Sequence, residues 1–447
     1  MTTDVNRRTF IKGAAASAAI VSPPNASAAA LTSSRETPQS NRKPTPSAGL
    51  SQKGLNRMTG IMTGYVDSGE IPGLVTLVSR RGEVDVNVIG IKKVGENNPM
   101  QRDTIFRIAS MSKPITAAAT MILVEECALR LDEPVDRLLP ELANRRVLKR
   151  IDARLDDTVP AKRPITVRDL LTFRMGFGQM IAAPDAYPIL KAANDLQIGM
   201  GAPSPASMPA PDEWIRRLGT LPLMHQPGEM WMYNTGADVL GVLIARTSGQ
   251  PFDIFLRERI FDPLGMKDTD FSVPAAKINR FATSYWFNPQ TQKLEVFDDA
   301  DGGQWSRPPA FPSGAGGLVS TIDDYFAFSE MLLNTGKRNT ARILSEKSID
   351  LMRTDQLTPE QKAISGLTPG YFDSHGWGFC MSVITKRTDI AGSVGAFGWN
   401  GGLGTSWNAD PREGLTTILL TQRAWTSPVP PNVCQDFWTS AALAIED

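Results

Sequence analysis

Residues 104–123 read TIFRIASMSKPITAAATMIL, and the spacing of Ser110 and Lys113 within this stretch decides how the chain is read. Residues three apart on a helix are surface neighbours, about 5–6 Å between Cβ atoms, so a helix here brings the lysine to the serine hydroxyl. The run from Pro114 to Leu123 is a strong helix former, and proline is tolerated in a first turn. A serine at a helix start also keeps its own backbone N–H among the unpaired donors, ready for an oxyanion. The same spacing in Ser40-Asn41-Arg42-Lys43 has none of this support, because it lies in a Ser- and Pro-rich stretch before Pro44. The competing reading is structural: Ser110 caps the helix, Ser112 helps it, and Lys113 is solvated.

The totals narrow the choice. With 447 residues, 41% apolar and 21% charged, the chain can bury a large core. Lys plus Arg (47) balances Asp plus Glu (47), which leaves no field to gather nucleic acid or an acidic membrane, so a small molecule is the expected partner. Cys127, Cys380 and Cys434 lie far apart, with neither disulfide-framework nor zinc-ribbon spacing. His225 and His375 are the two histidines, and neither has a metal-ligand spacing. No Gly-x-Ser-x-Gly and no phosphate-cradling glycine motif occurs, and no cofactor is expected.

The N-terminus reads as an address. NRRTFIKGAAASAAIV pairs Arg7 and Arg8 with Phe10 and Lys12 before a short run of small residues, and this resembles a twin-arginine signal over 1–28, with Ala26-Ser27-Ala28 as cleavage site. Its apolar run is far shorter than the ~20 residues of a spanning helix. Export by the twin-arginine machinery to the bacterial periplasm or medium is the expectation. Residues 29–54 are rich in Ser, Pro, Ala and Thr and read as a disordered linker before a folded domain over 55–447.

Within that domain GLVTLVSRRGEVDVNVIG (73–90) alternates Val84, Val86 and Val88 with polar residues after Arg81-Gly82, a hairpin with one buried face. Near the other end, a strand to Ala409, a turn over Asp410 to Gly414 and a strand through Thr421 form a second hairpin, and residues 432–445 close with helical spacing. Thr166 and Asp169 cap one helix between these regions, and the apolar face of 235–248 stops at Gly249. The fold class is therefore α+β: an antiparallel sheet built from both chain ends (about 55–130 and 375–447), flanked by helices, with a large mostly helical insertion (about 131–374).

Two more segments bear on Ser110. PGEMWMYNTGADVLG puts Tyr233 just before a helix, and AFGWNGGLGTSW thins a strand with Gly398, Gly401, Gly402 and Gly404. The tyrosine alone reads as aromatic packing, and the glycines mark either close approach of a ligand or another backbone or a bulge. In the order Ser110-x-x-Lys113, Tyr233-Asn234-Thr235, Trp399-Asn400-Gly401, however, the chain resembles the serine β-lactamase and penicillin-binding superfamily, most of all the class C β-lactamases and related carboxylesterases. That resemblance implies a β-lactamase/transpeptidase-like fold and an acyl-enzyme on Ser110. It implies proton transfer by Lys113 and Tyr233, an oxyanion hole of the Ser110 and Gly402 N–H groups, and substrate contacts at Trp399, Asn400 and Gly401.

Two departures qualify it: Thr235 stands where the family commonly has Asn, and Trp399 where it commonly has Lys or His. Esterase members are similar in carrying Trp there. A small carboxylic ester is the first substrate expectation, with a β-lactam or D-amino-acid peptide second. A non-catalytic binding member of the same fold is the alternative from another class. For ester chemistry without histidine, either Lys113 acts as a neutral base, its pKa brought from ~10.4 toward ~7 at a cost of about 4 kcal/mol, or Tyr233 acts as tyrosinate beside a cationic lysine. Pairing Ala409 with Leu415 would set Arg423 opposite Gly401 as a substitute cation; a solvated strand end is the simpler reading. SEMLLN (329–334) mimics a deacylating glutamate segment, but Tyr325, Phe328, Met331 and Leu332 make it an amphipathic core helix.

Overall fold

The computed structural model describes residues 49–446. Arg7, Arg8, the cleavage site, Ser40 to Lys43 and the linker up to residue 48 lie outside the described residues. The expected linker boundary at residue 54 is corrected, because Leu50 bridges Ile445 and Ser51 caps a helix that begins at Gln52.

The main sheet has seven antiparallel strands, β1 (Gly73–Arg80), β2 (Glu83–Gly90), β3 (His375–Trp377), β4 (Ser382–Ile384), β5 (Phe397–Gly401), β6 (Thr405–Asp410) and β7 (Leu415–Thr421), in the spatial order β3-β4-β5-β6-β7-β1-β2. The chain ends meet where β1 pairs with β7, Leu77 opposite Ile418. Five helices cover the sheet or position the site: α1 (Gln52–Asp67), α2 (Ser112–Glu125), α3 (Thr235–Ser248), α4 (Ile322–Leu333) and α5 (Asn432–Ala442). Leu74, Val78, Leu415 and Leu419 pack on α1 and α5 through Met58, Met62 and Phe437. Val75, Leu77, Ile418 and Leu420 face the larger core that holds α2, α3 and α4. Because β1 is covered on both faces, all of its residues are buried, which is why it reads as a nearly unbroken apolar run.

Local signals behave as their chemistry demands. Arg81 and Gly82 both have positive φ (49° and 91°), the mirror-image turn whose twist matches a hairpin. Thr166 and Asp169 form a reciprocal capping box. Gly249 closes α3 in the left-handed region with its N–H on the Ala245 carbonyl. Helix α4 buries Tyr325, Phe328, Met331 and Leu332, while Glu330 pairs with Arg338 at 2.9 Å. Between α2 and β3, helices alternate with short two-stranded pairs such as Ser284–Asn288 with Lys293–Asp298. Cys127, Cys380 and Cys434 are free thiols. Among the described residues no helix is long and apolar enough to cross a membrane.

Three expectations are corrected. The valine face of β2 is not buried: Val84 and Val88 are 40% and 38% exposed, because β2 is the outermost strand and only Val86 reaches the core. The β6–β7 register pairs Asp410 with Leu415, one residue from the expected pairing. Finally, the glycine-rich stretch is not one strand: β5 ends at Gly401, and Gly402 to Gly404 turn the chain into β6, where Gly401 pairs with Thr405.

Candidate active site

The serine is delivered by a short strand, a strained residue and a buried helix. Phe106-Arg107 pairs with Val319-Ser320, and the Arg107 guanidinium is clamped between Asp298, at 2.9 Å from its Nε, and the face of Phe281. Ala109 then takes φ 43°, a conformation that costs an L-residue roughly 1–2 kcal/mol and turns Ser110 out of the strand line. Ser112 holds the turn: its hydroxyl donates to the Ala109 carbonyl (2.7 Å) and accepts from the Leu318 N–H (3.1 Å). Helix α2 follows, buried from Ser112 through Leu123, as suits a helix apolar on all sides.

Lys113 has no exposed surface. Its Nζ lies 2.9 Å from Ser110 Oγ and 2.6 Å from the Ala315 carbonyl, and 4.5 Å above the Tyr233 ring. Burial pushes its ammonium down to about 7, while Asp238 and Cys380 act in the other direction and do not cancel the effect. Asp238 is the residue that sequence reasoning missed. It lies in the first turn of α3, accepts from Ser313 Oγ (2.6 Å) and the Ala315 N–H (3.1 Å), and is itself pushed up by burial. The Ala315 backbone therefore joins the two, its N–H on the carboxylate and its carbonyl on the lysine. The only local hint was an acid at a helix start just after Tyr233, which has an ordinary explanation in the helix dipole.

Tyr233 is walled by Phe173, Trp231, Trp377 and Trp399, with ring centroids 5.8, 5.7, 6.3 and 5.6 Å away. The next residue, Asn234, takes φ 82° and starts α3 in a new direction. Trp399 Nε1 donates to the phenol oxygen at 2.7 Å. Burial raises the phenol well above its ordinary value, and the hydrogen bonds to Ser110 and Trp399 offset only part of that. Of the two candidate bases, Lys113 is thus the one that holds its proton loosely near neutral pH.

Ser110, Tyr233, Asp238, Trp231 and Trp399 line one cleft of about 1130 Å³, larger than most small-molecule sites, with Lys113 buried behind Ser110. Trp399, Asn400 and Gly402 line it; Gly401 does not. A Cβ at Gly401 would fall 2.3 Å from the Ile108 carbonyl, so this glycine lets β5 press against the residues leading to Ser110. The backbone N–H groups of Ser110 and Gly402 meet no acceptor among the described residues. Met180, Met208, Met230, Trp286 and Phe297 make much of the wall apolar, and among the described residues no arginine or lysine is part of the lining. His225 and His375 also line it, each pushed down by burial and so neutral at pH 7. Arg423 is not the substitute cation: it pairs with Glu70 at 2.6 Å, away from Gly401.

Residues 58–431 match the Beta-lactamase family. The chain is 40% identical to Protein Rv1367c of Mycobacterium tuberculosis over 85% of its own length and 90% of that protein. It is 30% identical to Esterase EstB of Burkholderia gladioli, covering 79% of this chain and 86% of that one. Its fold superposes on EstCE1, described as a hydrolase with promiscuous acyltransferase activity, with a TM-score of 0.72 and 26% identity over 88% of this chain and 99% of the other. On the mixed helix and antiparallel-sheet fold, and on these relatives, the chain belongs to the beta-lactamase family and is a serine hydrolase.

Proposed function

We propose that this protein is an exported esterase that works through an acyl-enzyme on Ser110. Lys113, as a neutral amine, takes the hydroxyl proton while Ser110 Oγ attacks the ester carbonyl. The N–H groups of Ser110 and Gly402 receive the oxyanion, and the proton passes through the Tyr233 hydroxyl to the departing alcohol. Water then attacks the acyl-enzyme, gives its proton back through the same groups, and releases the acid and free Ser110. Lys113 and Tyr233 form one proton-transfer unit. The observation that carries the reading is Lys113 Nζ, fully buried and 2.9 Å from Ser110 Oγ.

The preference for esters rests on the lining. β-Lactams and D-peptides carry a carboxylate, and among the described residues the cleft offers no arginine or lysine to meet it. The Trp399 N–H does not take that place, because it is turned onto Tyr233. A fluorophosphonate should label Ser110 and fail to label Ser110→Ala, and kcat/KM for a short-chain aryl ester should exceed that for a cephalosporin. No labelling would leave a binding protein of the same fold; a cephalosporin preference would leave a β-lactamase. Export rests on Arg7 and Arg8: replacing both by Lys should hold the protein in the cytoplasm, and normal export would point to another route.

A further inference from the structure

The cleft continues beyond the face of the sheet that holds Ser110. Strand β4 pairs with β5 only at Phe397 and Gly398, so from Trp399 onward the outer edge of β5 carries no strand. The cleft passes round this edge and is lined there by Asn400, Asn408, Thr417, Trp425 and Trp438. Strand register places the first three on the opposite face. Asn408 stands between Gly398 and Thr417, while the alternating Trp399, Trp407 and Ile418 point into the large core, Trp407 onto α4. Helices α1 and α5 cover this opposite face at β7 and β1, and their apolar cluster includes no residue of β5 or β6.

The chemistry of this arm is specific. The side chains of Asn400, Asn408 and Thr417 form no hydrogen bond among the described residues, and Trp425 Nε1 is also without a partner. Polar groups left so in a recess cost stability, about 1–3 kcal/mol each when fully buried, unless something else satisfies them. Elsewhere on the same strands such groups are paired: Thr416 with Ser329 at 3.0 Å, and Thr405 with the Ile108 carbonyl at 3.2 Å. Gly398 lets the β6 backbone come close, since a Cβ there would fall 2.2 Å from the Trp407 carbonyl and 2.9 Å from Asn408 Oδ1. Trp438 is fixed as a wall by its own N–H on Ser406 at 2.9 Å. Asp410, also at this end, has its oxygens taken by the N–H groups of Ser393, Arg412 and Glu413, so it offers no free anion. Two carboxamides, a hydroxyl and two indoles, with no arginine or lysine, complement a neutral ring that carries hydroxyl groups on its rim and an apolar face.

Resting on the esterase reading, we propose that this arm is a second subsite for such a ring, and that the natural substrate is an ester of a sugar-like polyol. Its carbonyl lies at Ser110, its apolar acyl chain among Met180, Met208 and Met230, and its polyol in the arm beyond Asn400. The test uses octyl β-glucoside below its micelle concentration, titrated into the Ser110→Ala protein, with 1-octanol as the comparison. The glucoside should bind about tenfold or more tighter than octanol, and the double variant Asn408→Leu/Thr417→Val should weaken the glucoside by about tenfold or more while leaving octanol within about twofold. Retained octanol binding shows that the double variant is folded; if it is lost, Trp425→Phe, which removes one donor, is measured the same way. No glucoside binding, equal affinities, or equal losses for both probes would overturn the subsite. Because binding is read without turnover, a failure of Ser110 to take the fluorophosphonate would sink the esterase reading separately.

Discussion

Two regions of the seven-stranded sheet, closed at β7 and β1 and open at β5, are built on opposite terms. At β1 and β7 every residue is buried and, apart from the stretch around Thr417 that lines the cleft, helices cover both faces. At β5 one edge has no strand beyond Gly398 among the described residues, the apolar cluster of α1 and α5 takes no residue from it, and Asn400 on it and Asn408 beside it have no side-chain hydrogen-bond partner among the described residues. Dispersion and burial of apolar area act at the closed end, and they are insensitive to the placement of any one polar atom. At the open end the surroundings of Lys113, Tyr233 and Asp238 depend on single hydrogen bonds. Stability and chemistry should therefore separate along one sheet.

That separation can be attacked from both ends. Ser110→Ala should lower ester turnover by about 10⁴-fold or more with the melting temperature nearly unchanged, and Lys113→Ala combined with Tyr233→Phe should lose little beyond either single change. Multiplicative losses would show two independent groups. At the closed end Leu77→Ala, with Leu77 fully buried in the large core where α4 packs on β1, should cost about 2–5 kcal/mol in chemical denaturation and leave kcat per folded molecule as it was. A loss of kcat there would mean that the two ends are coupled.

Asp238→Asn sharpens the comparison by removing charge while keeping an acceptor for Ser313 and Ala315. The groups facing Lys113 are Ser110, Tyr233, Asp238 and Cys380. Asp238 is the one that raises the lysine most, so without it burial acts with less opposition and the lysine loses its proton at lower pH. The rising limb of kcat/KM against pH, set near 7 by Lys113, should move to lower pH by about one unit. A purely structural aspartate would lower the rate without moving the limb. Trp399→Phe should do least: it removes one donor from the Tyr233 oxygen, about 1 kcal/mol or roughly fivefold in kcat, read in single-turnover acylation.

Much of the site is readable in the sequence because its signals are local. Ser110 and Lys113 are three residues apart, and the single 3-10 turn Ala109–Met111 running into α2 brings them together; the Thr166–Asp169 box, the Arg81-Gly82 turn and the Gly249 stop are also decided within a few residues. The β6–β7 register differs from the expected one by one residue because the Asp410 carboxylate gathers the Arg412 and Glu413 N–H groups and holds a four-residue loop, 411–414, and side-chain capping of that kind is not visible in hydrophobic alternation.

The chain order by itself determines which residues can form each turn, cap and helix, and that a lysine stands beside a serine. Only the tertiary structure decides that this lysine is neutralisable, since its desolvation comes from segments around residues 233, 238, 315 and 380 that lie far from it in sequence. It also decides which face of β5 carries Asn400, because a strand's two faces become different only when a helix covers one region of the sheet and leaves the next open. Local geometry is short-ranged and survives in the sequence, whereas burial and electrostatics sum over whatever the fold brings near.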